Sequence, residues 1–379
     1  MRTPRVVVSS AGVFHAYHLA RGVQAADYLN SFITSIYNRY ETGIDMRKVI
    51  QLPLAAGLAR AIRFLPGGAP RLASYLVGDS FYDRMASMHI NDADIFHVFN
   101  NQGLRSIQVA KANGAVTVVA RSSAHPRAQA RILASESRFS TGTTKLSRLL
   151  IERHMAEYDV ADFIFVPSKF VWDTMVQEGV PEAKLRLVHL GFDPTRFFPG
   201  EKNDDVFRIM YAGGLSVQKG IPYLLEAFKE LKIPNSELIL VGDPYPDVRA
   251  VLREHRGLFR HTRFVPQAEL VHHYQQASVF VLPSLQDGFG MVVYEAAGCG
   301  IPVIVTENVG AEVRHGEDGF VVPIRDANAL AEKIRFYYEH PEERIRMGRS
   351  VRDYVQQFTW HNYHQEVIQH YDSILTKRG

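Results

Sequence analysis

Cysteine is nearly absent from this chain of 379 residues: Cys299 is the only one, so no internal disulfide can form. It lies in the sequence Ala-Gly-Cys-Gly, and we interpret it as a small buried side chain rather than a nucleophile. Long apolar runs are also lacking, which argues against a membrane-spanning helix. The apolar stretch near the basic N-terminus is too short for a signal peptide and predicts a first strand instead. These absences lead us to expect a cytoplasmic protein.

Metal-binding and nucleic-acid-binding patterns are missing as well. No set of His, Cys and carboxylate residues has metal-ligand spacing, and no nucleic-acid motif is visible. Asn91-Asp-Ala-Asp94 contains an Asp-x-Asp pair, but it immediately precedes a predicted strand, and we interpret it as the polar cap of that strand. We therefore expect no metal, no cofactor and no nucleic acid partner.

Composition and charge are those of a globular protein, with 46% hydrophobic and 22% charged residues. The length favours two domains, each large enough for its own core. Residues 1–190 contain 22 Lys and Arg against 15 Asp and Glu, a net charge of +7, whereas the remainder carries −4. This asymmetry predicts that only the first half meets an anionic partner.

Strand-like runs alternate with helical patterns over most of the chain, which is typical of parallel sheets built from βαβ units. A turn-rich linker, 191–205, separates two such halves, and the irregular stretch 28–88 is interpreted as helices. We expect an α/β protein with two doubly wound domains, residues 1–194 and 195–357, and a helix at 358–379 that returns to the first domain. The predicted strands are 5–9, 94–99, 116–120, 163–167, 207–212, 237–241, 263–265, 279–282 and 303–305.

The segment 282–295 is the most informative one. A hydrophobic run ends in a Pro-Ser turn, and the loop Asp287-Gly-Phe-Gly290 precedes a predicted helix. A strand, a glycine loop and a helix start point backbone N–H groups at an anion or a hydroxyl-rich ligand. Asp287 and Glu295 are spaced to contact two parts of one extended ligand, such as a sugar and a ribose. A loop acid beside a surface helix acid is the simpler alternative.

A second glycine loop, Tyr211-Ala-Gly-Gly-Leu-Ser-Val-Gln-Lys-Gly-Ile-Pro222, closes the first strand of the second domain. Gly213 and Gly214 let a ligand approach the backbone, and Lys219 supplies a positive charge just ahead of a helix whose first turn accommodates Pro222. Together they predict a diphosphate seat. An ordinary loop with a solvated lysine is the alternative.

These two loops resemble those of the retaining glycosyltransferases of family four, also called group one. Asp287 stands at the first position of the family's Glu-x7-Glu signature, and Gly214 replaces the arginine of Gly-Arg-Leu-x-x-x-Lys-Gly. Further segments that resemble the family are 157–168, 188–193, 241–243, 263–267, 308–313, 316–323 and 359–360.

The resemblance implies the GT-B fold, in which two Rossmann-like domains face each other across a cleft. It also implies that the second domain binds a nucleoside diphosphate sugar and that transfer proceeds with retention and without a divalent metal. Lys219 and Asp287 are the catalytic candidates in that domain, Lys219 as the cation on the leaving diphosphate. The other implied donor contacts in it are Gly213, Gly214, Val265, Gly288, Phe289, Gly290 and Glu295, with Glu295 on the ribose.

Two loops of the first half complete the predicted site. The loop 9–18 lies where the family has a glycine loop, so Gly12 is assigned to the donor, while His15 or His18 reaches the cleft or lies at a helix start. His125 follows a strand end that carries an acceptor-side residue in the family. A neutral imidazole there both donates and accepts, so it would contact the sugar or orient the acceptor. A histidine that caps the next helix is the alternative.

The implied function is hexosyl transfer to an acceptor hydroxyl, in the synthesis of a cell-surface polysaccharide or glycolipid. Gly214 and Asp287 leave open a catalytically impaired partner subunit, and a nucleotide-sugar epimerase of related architecture is the other alternative. The basic, apolar stretches 58–65 and 71–76 fit a peripheral contact with an anionic membrane on its inner face, or packing with the arginines outward. The acceptor is expected to be a glycan or a lipid-linked molecule.

Overall fold

The computed structural model describes residues 3–13, 15–38, 43–63, 74–136 and 148–376. In these ranges the chain forms one parallel sheet of seven strands and one of six. The first has the order β3-β2-β1-β4-β5-β6-β7, made of β1 Val6–Ser10, β2 Leu29–Thr34, β3 Val49–Gln51, β4 Ile95–Phe99, β5 Val116–Ala120, β6 Phe163–Val166 and β7 Leu185–Leu187. The second has the order β10-β9-β8-β11-β12-β13, made of β8 Phe207–Ala212, β9 Ser236–Val241, β10 Arg260–Thr262, β11 Val279–Leu282, β12 Val303–Thr306 and β13 Gly319–Val322.

Helices connect the strands. Those of the first sheet are α1 Ala16–Ala25, α2 Pro53–Arg63, α3 Asp79–Ala86, α4 Leu104–Ala112, α5 Pro126–Ala134, α6 Arg148–Val160 and α7 Lys169–Gln177. Those of the second are α8 Ile221–Leu231, α9 Arg249–Glu254, α10 Gln267–Gln275, α11 Met291–Gly298, α12 Ala327–Glu339, α13 Pro341–Val355 and the terminal α14 Trp360–Thr376. None of the helices in the described ranges is long and apolar enough to cross a membrane.

The central strands are buried on both faces, which is why they read as continuous apolar runs. In β1, Val6 and Val8 belong to one core and Val7 to the other, and all three are fully buried. One parallel sheet with connecting helices in each half confirms the two doubly wound domains. The terminal helix α14 returns to the first domain, where Trp360 stacks on His18 of α1 with ring centroids 3.5 Å apart.

Four strands were not predicted, and one was misplaced. Strands β2 and β3 lie in the stretch interpreted as helices, and β7 and β13 were missed. Three of these four are outer strands of a sheet, and β2 lies next to such an edge. Strand β3 has three residues, none of them buried, so its side chains carry little hydrophobic pattern. Strand β10 ends at Thr262, ahead of the predicted 263–265, because the polar edge sequence Arg-His-Thr pairs with β9 while Phe264 is exposed.

Candidate active site

Strands β8 and β11 are neighbours in the second sheet, so the two glycine loops that follow them meet. The Lys219 ammonium donates a hydrogen bond to Asp287 Oδ2 and forms an ion pair with it. The other carboxylate oxygen of Asp287 accepts from the backbone N–H of Gly290 at 3.2 Å, at the start of α11. Lys219 and Asp287, the catalytic candidates predicted from two separate motifs, are therefore in direct contact with each other.

The loop that carries Asp287 is held from two sides. Within the second domain, Asp287 N donates to Asn308 O at 2.9 Å, and Gly310 N donates to Asp287 O at 2.9 Å. From the first domain, the hydroxyl of Ser168 donates to Gly288 O at 2.6 Å. A Cβ at Gly288 would lie 1.9 Å from the carbonyl oxygen of Ser122, so only glycine allows this approach of the two domains.

Glu295 is buried rather than a surface acid. Its side chain lies in the second turn of α11, is 5% exposed and accepts from the Tyr274 hydroxyl at 3.0 Å. Burial raises the pKa of this carboxyl to about 7, although the hydrogen bond from Tyr274 and the nearby Arg196 charge act in the other direction. This burial excludes the alternative of a surface acid on the helix. The carboxyl either faces a ligand or has a structural role.

Gly213 and Gly214 close β8 as predicted. Gly213 has φ 134°, a value that favours glycine, and the hydroxyl of Tyr211 donates to Gly214 O at 2.9 Å. Val265 is half-buried just beyond β10, and Gly12 is half-buried beyond β1, where its carbonyl oxygen accepts from the Ser10 hydroxyl at 2.9 Å. Phe289 is buried against Tyr294, with ring centroids 4.7 Å apart.

The structure corrects the prediction for His125. Its side chain is fully buried and accepts from Arg127 N at 3.3 Å, which caps α5, while Nε2 lies 3.1 Å from the sulfur of Met155. Burial lowers the pKa of this imidazole to about 4. This contact is the helix-capping alternative, and the ring packs against Met155 of α6.

His15, which precedes α1, and His18, in its first turn, pack against aromatic rings. His15 contacts Phe99 edge to face with ring centroids 4.8 Å apart, and burial lowers its pKa to about 4. His18 stacks on Trp360, and burial together with the Arg21 charge lowers its pKa to about 3. Both imidazoles are neutral at pH 7.

Sequence reasoning missed the residues that join the domains. Glu136, two residues beyond α5, is 2% exposed and accepts from the Tyr223 hydroxyl at 2.8 Å and from the Arg325 guanidinium. Arg325 also donates to Ile132 O at 2.7 Å. These partners lie at least 87 positions from Glu136 in the chain, so no local pattern predicts the contacts. Ser168 does have a local signal, because a serine that follows a strand is a typical helix N-cap.

A charged histidine lies where the domains connect. His189 Nε2 is 3.1 Å from Glu312 Oε1 of the second domain, and its Nδ1 is 3.6 Å from Glu366 Oε1 of α14. Although burial lowers the pKa of His189, the hydrogen bonds to Glu312 and Glu366 outweigh it and raise the pKa to about 9. His189 is thus an imidazolium at neutral pH.

The Asp-x-Asp pair lies ahead of β4, as interpreted. Asp94 Oδ2 accepts from Arg5 N at 2.8 Å, and the Arg5 guanidinium forms ion pairs with both Asp92 and Asp94. Among the residues that the structure describes, no group of three or more His, Cys, Asp or Glu is arranged to hold a metal ion.

Comparison with solved structures defines the class. The fold matches a sucrose-phosphate synthase from Thermosynechococcus elongatus over 99% of this chain and 100% of that one, with a TM-score of 0.76 and 20% identity. It also matches Anabaena HepE in complex with UDP and glucose over 98% and 100%, with a TM-score of 0.68 and 15% identity. Two Rossmann-like domains in this arrangement are the GT-B fold.

Sequence comparison finds a similarity to a known family over the second half of the chain. Residues 193–374 match the family Glycosyl transferases group 1. A D-inositol 3-phosphate glycosyltransferase of Corynebacterium urealyticum is 30% identical over 53% of this chain and 54% of its own. A GDP-mannose-dependent phosphatidylinositol monomannoside mannosyltransferase of Mycolicibacterium smegmatis is 28% identical over 58% and 63%. The chain thus spans only about half to three-fifths of the length of these relatives.

Proposed function

We propose that this protein transfers a hexosyl group from a nucleoside diphosphate sugar to an acceptor hydroxyl, with retention of configuration. The observation that carries the proposal is the contact between Lys219 and Asp287 at the adjoining ends of β8 and β11. In an open α/β sheet, ligands bind outside the carboxyl ends of the strands. A cation and a carboxylate there fit a donor with phosphates at one end and a sugar at the other.

The roles follow from the chemistry of each group. Lys219 neutralises the diphosphate as the bond between the sugar C1 and the phosphate oxygen breaks and the electron pair stays on that oxygen. The acceptor oxygen forms its bond to C1 on the same face, and its proton passes to the departing phosphate. Asp287 and the backbone from Gly288 to Gly290 contact the sugar. No step in this scheme is assigned to His125, which caps α5.

Glu295 is assigned to the ribose. A carboxyl whose pKa is raised to about 7 carries only part of a charge at neutral pH, and accepting from two ribose hydroxyls does not require a full one. Its position in α11, two turns beyond Asp287, separates the ribose contact from the sugar contact. Gly213 and Gly214 line the phosphates, while Gly12 and the backbone of Val265 complete the donor contacts.

The names of the relatives guide the choice of substrates. HepE was solved with UDP and glucose, and the mycobacterial relative is described as GDP-mannose-dependent and acting on a phosphatidylinositol mannoside. We therefore propose a uridine or guanosine diphosphate sugar as donor. A glycan or lipid-linked acceptor, used in cell-surface polysaccharide or glycolipid synthesis, is the proposed partner.

The first domain offers a surface for peripheral contact with an anionic membrane at its cytoplasmic face. Leu54 at the start of α2 is 68% exposed and Val77 is 52% exposed, and Arg60 on α2 is also exposed. Apolar side chains with neighbouring arginines suit the boundary of an anionic bilayer. Of the two basic, apolar stretches, residues 64–65 and 71–73, which include Arg71, lie outside the described residues.

The test is a thermal-shift screen of sugar nucleotides, followed by incubation of the best donor with candidate acceptors. NMR of the anomeric proton in the product reports retention or inversion, and a parallel reaction with EDTA reports any need for a divalent metal. A donor that stabilises the protein but is never consumed, with any acceptor, would favour the impaired partner subunit that Gly214 suggests. Conversion of one sugar nucleotide into another without acceptor would identify an epimerase.

A further inference from the structure

The backbone of Gly214 does not itself require glycine. Its neighbour Gly213 has φ 134°, whereas Gly214 is absent from the positive-φ residues of the described chain. The space beside it is occupied instead, because a Cβ built there would lie 2.6 Å from Cε2 of Tyr245, so a side chain at 214 requires the ring to move. The missing side chain and the tyrosine ring are therefore complementary.

The backbone that carries Tyr245 is paired with the glycine loop. Tyr245 N donates to Leu215 O at 2.8 Å, and Leu215 N donates to Asp243 O at 3.0 Å. The loop after β9 is thus held against the loop after β8, which places the Tyr245 ring beside Gly214. Tyr245 remains 40% exposed, so part of the residue is available to a ligand.

Charge at this point of the cleft is balanced. Lys219 is the only charged side chain in residues 211–222, and it is paired with Asp287. Phosphate groups at the end of β8 would meet backbone N–H groups, a phenol ring and a single cation, Lys219, which they would share with Asp287. Hydrogen bonds and van der Waals contacts, more than net charge, would then hold the donor.

We propose that Tyr245 is a specificity-determining residue of the donor site, which forms a neutral wall over Gly214 against the phosphates. This inference rests on the proposed function, since it takes a nucleoside diphosphate sugar as the ligand. It has two consequences. Binding of a nucleoside diphosphate depends only weakly on salt, and an arginine at position 214 is accommodated only after the ring is removed.

The experiment compares the wild-type protein with Gly214→Arg, Tyr245→Ala, Tyr245→Phe and the double variant Gly214→Arg/Tyr245→Ala. Binding of UDP and GDP is measured by calorimetry at low and high salt, after circular dichroism has shown that each variant is folded. Two remote variants serve as controls. Gly57→Arg adds the same charge on α2 where a Cβ meets nothing within 4 Å, and Tyr338→Ala removes an exposed tyrosine of α12.

We expect Gly214→Arg to weaken binding by about tenfold or more, because the ring and the new side chain compete for one space. Tyr245→Phe keeps the ring and should bind more tightly than Tyr245→Ala. The double variant should bind about tenfold more tightly than Tyr245→Ala at low salt, the usual scale of one charge-assisted phosphate contact, and should lose that gain at high salt. The controls should match the wild type.

Three results would overturn the inference: Gly214→Arg binding as tightly as the wild type, Tyr245→Ala leaving binding unchanged, or no gain in the double variant over Tyr245→Ala. A wild-type protein that binds neither UDP, GDP nor any sugar nucleotide would refute the proposed function and this inference with it. Binding by the wild type without coupling between positions 214 and 245 would refute the inference alone.

Discussion

Lys219 and Asp287 lie 68 positions apart in the chain, yet their side chains form an ion pair at the adjoining ends of β8 and β11. Both side chains are mostly buried, with exposed fractions of 26% and 17%. Lys219 is assigned to the phosphates and Asp287 to the sugar. Their ion pair therefore orients both side chains before the donor binds.

Lys219→Ala should strongly reduce the rate of sugar transfer. One charge-assisted hydrogen bond is worth about 1.5–3 kcal/mol, so donor affinity and turnover together should fall by about tenfold to a hundredfold. Calorimetry with the nucleoside diphosphate and a steady-state assay measure the two effects. Lys229→Ala, an exposed lysine of the neighbouring helix α8, is the matched control. Near-normal kcat/KM in Lys219→Ala would rule out the diphosphate seat.

Asp287 and Glu295 should separate by role. Asp287→Asn should reduce turnover without weakening binding of the bare nucleoside diphosphate, because Lys219 keeps its positive charge and loses only its carboxylate partner. Glu295→Gln should weaken that binding by up to about tenfold, because an amide nitrogen cannot accept from a ribose hydroxyl. Glu332→Gln, on α12, is the control. Equal losses of nucleoside diphosphate affinity in both variants would contradict the division between sugar and ribose contacts.

His189 predicts a pH dependence of stability. Its folded-state pKa, about 9, lies above the usual value, so its contribution is complete below pH 6.5 and is lost as the pH rises towards 9. The free energy of unfolding in urea should therefore fall between pH 7 and pH 9 more steeply in the wild type than in His189→Gln. His361→Gln, an exposed histidine of α14, is the control. Parallel profiles for wild type and His189→Gln would show that the imidazolium does not join Glu312 and Glu366.

Contact with an anionic membrane should depend on charge and on salt. The protein should cosediment with liposomes that contain anionic lipid at low salt and be released at high salt, because exposed charges are screened beyond roughly 8 Å at physiological ionic strength. Replacing Arg60, Arg63 and Arg71 by glutamate should abolish cosedimentation while nucleotide affinity is kept, and Leu54→Ser should weaken it. Lys229→Glu, on the second domain, is the control for a charge change. If the wild-type protein does not cosediment with these liposomes at low salt, a soluble acceptor becomes the better hypothesis.

Local sequence determined the buried strands and the loops that follow them. Strands β5, β8 and β11 have the predicted bounds, because continuous apolar runs that end in glycine, proline or serine signal a strand buried on both faces. The helix starts after Gly220 and Gly290 follow from the same logic. The edge strand β3 was missed and the edge strand β10 was misplaced, because their side chains are largely exposed and their pairing comes from the backbone of a neighbour.

Tertiary structure alone decided which predicted residues meet. His125 fits a catalytic position by its place after β5, yet packing against α6 and capping of α5 bury it. The Tyr245 ring lies against Gly214, and Glu136 accepts hydrogen bonds from Tyr223 and Arg325; both contacts join segments that are distant in the chain. Such contacts depend on how neighbouring strands and facing domains are placed, and a local pattern in the sequence has no means to encode a distance across a cleft.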